Sequence, residues 1–233
     1  MRTAKAVNLV NTGKRENVYQ FMTDEMNTHL SGDNKVTNDV IKKPLMTHFY
    51  SSVAGPRKAL NDSQLESFYE ALEGAFPGPQ KFMDKVADLW TDKDTFIFTM
   101  PDGHTAYIRT KVVQTANIEL AEGVEFEYDY ATHLPSGNAR HLVANIVHAY
   151  DGWVLREVVR RCDFEVATIH DSFWCLPSNM PIVRSVYREV LAELADSNAL
   201  ERTLSELAGY SVTFNKGTDN LSVSILKSEY ALS

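Results

Sequence analysis

The sequence predicts a mixed α/β (α+β) chain that is rich in helix and whose strands are antiparallel. Apolar residues recur at helical spacing in several long segments, which is typical of amphipathic helices. Shorter segments with alternating or β-branched residues lie between them and are bounded by turn residues, as in hairpins. A hydrophobic fraction of 44% over 233 residues is sufficient for a sizeable core.

The first part of the chain is predicted to be helical. An amphipathic helix is expected over residues 15–30, followed by a partly helical segment in which Pro44 fits best near a helix start. Ser63 and Glu66 have the spacing of a capping box, which predicts a helix that begins at Ser63 and ends before the next proline. Another helix is expected over 79–90.

The middle of the chain is predicted to form strands. Residues 94–100 and 105–113 flank the turn sequence PDGH and indicate a hairpin. Residues 124–134, VEFEYDYATHL, alternate strictly and predict a strand whose turn is LPSGN. A long helix is expected over 139–162.

The last part of the chain begins with the apolar run FEVATI at 164–169, which is typical of a strand buried on both faces. It leads directly into His170-Asp171-Ser172. A helix over 182–207 with a break near Asp196 follows, and the final segment alternates and then loses its pattern.

Composition restricts the class of protein. No apolar run approaches the ~20 residues of a membrane span, and the amino-terminal residues lack a secretory signal, so a cytoplasmic protein is expected. Cys162 and Cys175 lack metal-ligand spacing and are expected to be free core thiols. The net charge of −8 argues against a free-standing nucleic-acid binder, unless another chain supplies the basic surface.

Three segments carry residues whose side chains are suited to catalysis or ligand binding. Asp171 follows an apolar strand. An unpaired carboxylate is costly inside such a strand, but at a turn the same carboxylate can bind a divalent ion. The alternative is a capped turn with a surface aspartate. Lys42, Met46 and Tyr50 share one helix face, where a lysine neutralises a triphosphate and an aromatic ring stacks on a nucleotide. A solvated lysine pair beside a core Met and Tyr is the alternative.

In the third segment, Asn145, His148 and Arg156 lie at roughly helical intervals. Arg156 and the two arginines that follow it form a basic patch in an acidic chain. This patch is suited to phosphate contacts, or to ion pairs with Glu157 and Glu165.

In order and spacing, the three segments resemble the single-subunit RNA polymerases of bacteriophages and mitochondria. KKPLMTHFYSS resembles motif B, NIVHAYDGWVLREVV resembles the Asn-x-x-His segment followed by Asp-Gly, and ATIHDSF resembles motif C. AVNL near the amino terminus and the carboxyl-terminal segment also resemble the family. The matching residues are Lys42, Met46, Thr47, Tyr50, Asn145, His148, Asp151, Gly152, His170 and Asp171.

The resemblance implies roles for these residues. Asp171 would be one of two metal-binding aspartates, flanked by His170. Lys42 would neutralise the incoming triphosphate, Tyr50 would border the insertion site, and His148 would contact the hybrid or the incoming nucleotide.

Further contacts with nucleotide or nucleic acid are expected from Lys43, Met46, Asn145 and Arg156. Two positions depart from the family: Asn38 replaces an Arg four residues before the motif B Lys, and Ser51 replaces a Gly.

The resemblance also implies a right-hand polymerase architecture. Residues 1–93 would form a fingers-like region and 94–233 a palm-like region, with a specificity hairpin at about 122–140. The motif A aspartate would lie before AVNL, so a second subunit is expected to supply it, with the thumb and the amino-terminal domain. Two Mg²⁺ ions, a DNA template, NTPs and an RNA product complete the implied assembly.

The segment at 122–140 is acidic, and acidic strands bind duplex DNA poorly. We therefore expect weak promoter recognition and the need for a recruiting factor, a single-stranded-DNA-binding factor or a single-stranded template. Two alternatives remain open. One is a non-catalytic remnant that binds nucleic acid or a polymerase, and the other is a fragment of a family A DNA polymerase.

Overall fold

The computed structural model describes residues 1–89, 93–121, 123–135, 140–214 and 220–232. Over these ranges the chain is rich in helix and its strands form small antiparallel sheets, which confirms the general α/β prediction. Among the described helices, none combines the length and the apolar composition needed to cross a bilayer.

The first 89 residues are helical. The helices are α1 (Arg2–Ala6), α2 (Val18–Asn27), α3 (Asn38–Phe49), α4 (Ala54–Ala59), α5 (Asp62–Ala75) and α6 (Pro77–Asp88). The apolar sides of α2, α3 and α5 meet in one buried cluster, which we call the first core and which includes Met22, Ile41, Phe68 and Leu72. Trp90, the expected end of α6, lies outside the described residues.

Two local predictions in this region were wrong. The helix start expected at Ser63 is capped by Asn61 instead: its side chain accepts a hydrogen bond from the Gln64 amide, and the Gln64 side chain accepts one from the Asn61 amide. Pro44 lies inside α3 and not near its start. Its ring is buried, which favours proline at this position although one helical amide is lost.

A second buried cluster, the second core, lies under the remaining helices and one hairpin. It joins β1 (Thr95–Thr99), β2 (Thr105–Arg109), α7 (Arg140–Arg161), α8 (Met180–Asp196) and α9 (Ala199–Ala208). The expected break near Asp196 separates α8 from α9. Val86 and Leu89, in and just after α6, also belong to the second core, so α6 connects the two halves on either side of the predicted boundary at 93/94.

The second hairpin is formed by β3 (Val112–Ala121) and β4 (Val124–Thr132). The expected hairpin at 122–140 is therefore displaced: VEFEYDY is its second strand, and its first strand comes from residues before 122. TAYIRTKVV does not form one strand, because the chain leaves β2 at Thr110 and begins β3 two residues later. Most of the predicted turn LPSGN lies at 136–139, outside the described residues.

The third hairpin is formed by β5 (Ala167–Ile169) and β6 (Ser172–Trp174). The prediction that FEVATI is a strand buried on both faces was wrong. Ile169 and Trp174 are each 60% exposed, because only the face that carries Phe173 packs against the second core.

The carboxyl-terminal segment, whose pattern alternates and then fades, forms a helix, α10 (Leu221–Leu226). Asn220 caps this helix by accepting a hydrogen bond from the Val223 amide, and α10 packs on α8. The Ser228 hydroxyl after it donates to the Asn8 carbonyl oxygen, so the two ends of the chain lie side by side.

Candidate functional site

Two of the three sequence motifs meet where α3 ends beside α7. Tyr50 follows the last residue of α3, and its ring centroid lies 5.2 Å from that of His148 on α7. These residues are 98 positions apart in sequence, and Tyr50 remains 45% exposed. The two rings therefore form an open aromatic surface between the two halves of the chain.

The third motif approaches the same part of α7. Asp151 lies one helical turn after His148, on the same side of the helix. Partial desolvation raises the pKa of Asp151, the nearby His148 lowers it, and the negative charge of Asp171 raises it. The two carboxylates are thus close enough to interact electrostatically.

The pKa of Tyr187 on α8 responds to both carboxylates. Burial raises the pKa of its phenol, and the charges of Asp151 and Asp171 raise it further. Its ring makes an edge contact with Phe173 of β6, with centroids 6.0 Å apart. Tyr187 therefore supports the β5–β6 hairpin from the side of the second core.

The turn between β5 and β6 presents Asp171. Ile169 pairs with Ser172, so His170 and Asp171 form a two-residue turn. His170 has φ 53°, a left-handed conformation that a two-residue hairpin needs and that residues with a Cβ adopt at a cost. Both turn residues are exposed.

One face of α3 carries the predicted nucleotide-binding residues. Lys42, Lys43 and Met46 are exposed, and the Lys42 ammonium lies 5.9 Å from the centre of the Tyr19 ring on α2. Met46 borders an apolar cavity of about 330 Å³ that is also lined by Tyr19 and Phe49. The lysine is therefore held beside an aromatic ring while its charge still faces solvent.

The end of α3 has a Schellman-type geometry. The Ser51 amide donates to the His48 carbonyl oxygen over 2.7 Å, and the Ser52 amide donates to the Thr47 carbonyl oxygen over 2.9 Å. Ser51 has φ 62°. A Cβ added to Gly55 would lie 2.1 Å from Thr47 Oγ1, so only glycine permits α4 to begin this close to α3.

Two predicted nucleic-acid ligands have protein partners. Asn145 donates to the His141 carbonyl oxygen one turn earlier on α7. Arg156 Nε donates to Asp102 in the β1–β2 turn over 2.8 Å, a partner that sequence reasoning missed. The arginines at 160 and 161 pair with Glu157, which agrees with the ion-pair alternative. Nucleic-acid contacts of Asn145 and Arg156 stay predictions.

Sequence reasoning also missed Tyr19 and Tyr187 and assigned Asp151 no metal-site role. Tyr187 falls in the apolar periodicity of α8, which indicates a core residue and nothing more. Asp151 had a usable signal, because it lies one helical turn from His148, but its proximity to Asp171 depends on how β5–β6 packs against α7 and α8.

The carboxylates of Asp171 and Asp151 are the hard oxygen ligands that Mg²⁺ prefers, and one or two carboxylates suffice when phosphates and water complete the shell. This donor set fits a magnesium site shared with a nucleotide. In the part of the chain that the structure describes, no three His, Cys, Asp or Glu side chains form a complete metal site.

Comparison with known proteins gives no assignment: no protein-family model matches the chain, and no curated protein matches it.

Proposed function

We propose that this chain is a catalytic subunit of a DNA-directed RNA polymerase that adds NTPs to the RNA 3′ end by a two-metal mechanism. The main support is spatial. Tyr50 contacts His148, and the charges of His148 and Asp171 both shift the pKa of Asp151, although the three motifs are far apart in sequence. A chance resemblance of separate motifs gives no reason for them to converge.

Asp171 is proposed to hold Mg²⁺, with Asp151 as a neighbouring carboxylate. When bound, the two ions stabilise the attacking and leaving oxygens of nucleotidyl transfer. Lys42, exposed beside Tyr19, is proposed to bind the triphosphate, and Lys43 adds a second positive charge on the same helix. The Tyr50–His148 surface is suited to stacking against a nucleotide and orienting it.

The backbone at Ser51 supports the motif B resemblance independently of side-chain identity. The polymerase family usually has Gly at this position, and the position here adopts the left-handed conformation that glycine favours. The residue type at this position differs from the family pattern, but its backbone has the conformation that glycine favours.

The second metal-binding aspartate is proposed to come from a partner subunit, which also supplies the thumb and the amino-terminal domain. Ile169 and Trp174 support this, because they leave an apolar face of the β5–β6 hairpin exposed next to Asp171. A two-stranded sheet is marginally stable by itself, and added strands stabilise it.

The test is RNA synthesis by the chain assembled with its partner subunit. Asp171→Asn is expected to reduce NTP incorporation at least 1000-fold while assembly, measured by size-exclusion chromatography, is unchanged. Asp163→Asn is the matched control, because Asp163 is exposed on the loop before β5. With hydrogen peroxide and ascorbate added, Fe²⁺ substituted for Mg²⁺ should cleave the wild-type backbone near 171 by local hydroxyl-radical formation, and Asp171→Asn should abolish this cleavage.

Full activity in Asp171→Asn would refute the metal assignment. Incorporation of dNTPs in preference to NTPs would instead favour the DNA polymerase alternative. Assembly without incorporation of either substrate would favour the non-catalytic remnant.

A further inference from the structure

The β3–β4 hairpin has an exposed aromatic stripe. Phe126, Tyr128 and Tyr130 occupy alternate positions of β4 and therefore share one face. The ring centroids of Phe126 and Tyr128 are 6.4 Å apart, and those of Tyr128 and Tyr130 are 5.6 Å apart. Each side chain is 39–52% exposed. Contiguous exposed rings of this kind mark an interaction site.

The strand register extends this surface onto β3. Ile118 pairs with Phe126, Ala116 with Tyr128, and Gln114 with Tyr130. We call these six residues the aromatic face. It carries no charged side chain, and Ile118 is 45% exposed.

The opposite side of the hairpin, which we call the acidic face, carries carboxylates. Glu119 pairs directly with Glu125, and Glu127 and Asp129 follow on the same side of β4. Between residues 111 and 133 the sequence has five carboxylates and one lysine, so this short segment accounts for half of the net charge of −8. The directly opposed Glu119 and Glu125 destabilise the isolated hairpin, so their proximity is suited to a positively charged partner.

These charges decide between two occupants. Bases of single-stranded nucleic acid stack on such rings, but they do so in positively charged grooves that bind the phosphates. The acidic face creates a negative electrostatic potential, which repels phosphates. Lysine and arginine, in contrast, are attracted to the carboxylates of the acidic face, and the aromatic face suits the apolar side chains of the same segment.

We propose that the hairpin docks an extended basic segment of another protein along β4, so that alternate residues of the segment lie on the aromatic face and on the acidic face. The aromatic face has an area of roughly 300 Å², because each strand has about ten residues at ~3.4 Å each and the two strands are ~5 Å apart. This area is well below the ~800 Å² per partner of a typical stable interface. The occupant is therefore a short segment with alternating cationic and apolar residues. The proposal concerns recruitment and does not depend on catalysis by Asp171.

The test measures binding of a labelled ten-residue peptide of alternating Lys and Val to the full chain by fluorescence anisotropy. Labelled dT20 is measured in parallel. Two variants alter the site: Tyr128→Ser with Tyr130→Ser, and Glu125→Gln with Glu127→Gln. The matched control is Ile97→Ser with Tyr107→Ser, a cross-strand pair that is 50% and 66% exposed on the other large hairpin.

Both site variants are expected to weaken peptide binding at least tenfold, and the control is expected to bind as the wild type. Amide hydrogen exchange should show peptide protection confined to 112–132. Equal peptide binding by the wild type and the glutamate variant, which keeps the rings, would overturn the proposal. The proposal would also be overturned if the tyrosine variant weakened dT20 binding and the glutamate variant strengthened it. That result would identify the hairpin as a binding surface for single-stranded DNA.

Discussion

At the end of α3, Ser51 combines a left-handed backbone with a buried hydroxyl that has no hydrogen-bond partner among the described residues. The left-handed backbone is unfavourable for serine but not for glycine, and glycine has no hydroxyl to leave unpaired. Ser51→Gly is therefore expected to raise the free energy of unfolding by about 1 kcal/mol, measured by urea denaturation.

The control for this prediction is Ser63→Gly in the first turn of α5, where φ is not positive. That change should lower the free energy of unfolding by about 0.5–1 kcal/mol, because glycine is a poor helix former. Equal effects of the two substitutions would show that the backbone at Ser51 is not responsible.

Also at the residue scale, His48 gives the first core a pH dependence. Desolvation by burial lowers the pKa of His48, and the hydrogen bond with Gln80, 3.2 Å away, raises it by less. The folded state thus disfavours protonation relative to the unfolded chain. The resulting stability is present above the ordinary pKa of about 6.5 and is lost as the pH falls towards the lower, folded-state pKa.

His48→Gln is expected to be less stable than the wild type at pH 7.5, because the rings of Phe68 and Tyr69 lose an edge contact. Its stability should then fall less steeply than that of the wild type between about pH 7 and 5. Urea denaturation at several pH values checks this. The exposed-histidine control His104→Gln should follow the wild-type slope, and a variant slope equal to that of the wild type would contradict the assignment.

At the element scale, ion pairs of Asp102 attach the β1–β2 turn to α7. Arg156 is the nearer partner, and Arg160 Nη2 lies 3.8 Å from Asp102 Oδ2. Arg156 Nε and Nη2 each lie 2.8 Å from Asp102 Oδ2, and the Asp102 side chain is 3% exposed. The hydrogen bond from Arg156 holds the pKa of Asp102 below its ordinary value. The stability that this pair contributes is therefore present at neutral pH and lost as the pH falls through the lowered pKa.

A double-mutant cycle with Asp102→Asn and Arg156→Gln is expected to give a coupling energy of about 1–2 kcal/mol. This value lies between those of exposed and buried pairs, because Arg156 is itself 35% exposed. Urea denaturation of the four proteins measures it. A coupling energy near zero would show that the Arg156–Asp102 pair does not hold the turn to α7.

The long elements were predictable because a long segment of one type leaves few alternatives. α7 was expected at 139–162 and is found at Arg140–Arg161. The short ones were not, since an apolar run such as FEVATI has no period that distinguishes a buried strand from a half-exposed hairpin. The carboxyl-terminal segment shows a further limit, because docking of α10 on α8 outweighs its alternating pattern.

For the whole molecule, the candidate site depends on both cores. Tyr50 is positioned by α3 of the first core, whereas His148 and Tyr187 are positioned by helices of the second. Sequence could predict which motif residues are chemically useful. It could not predict that Asp151 and Asp171 both influence the pKa of Tyr187, because that arrangement is created by the packing of three elements that are separated in sequence.

The exposed face of the β5–β6 hairpin suggests that the candidate site also depends on a second chain. Ile169 and Trp174 lie on the same face, each 60% exposed, while Phe173 on the other face packs against the protein. If the proposed partner subunit completes the palm beside Asp171, it must cover this face. Burial of the indole should then shift the emission of Trp174 to shorter wavelength as the subunits associate, and Trp174→Phe should remove that shift.

Ile169→Ser is expected to weaken association of the two subunits at least tenfold, since burying an isoleucine side chain contributes about 1.5–3 kcal/mol. Ile97→Ser is the matched control, because Ile97 is also a half-exposed strand residue but lies on β1, away from Asp171. Titration by anisotropy of a labelled partner measures both affinities. Unchanged affinity in Ile169→Ser would place the partner elsewhere on the chain, and the metal assignment of Asp171 would still be tested separately by RNA synthesis and Fe²⁺ cleavage.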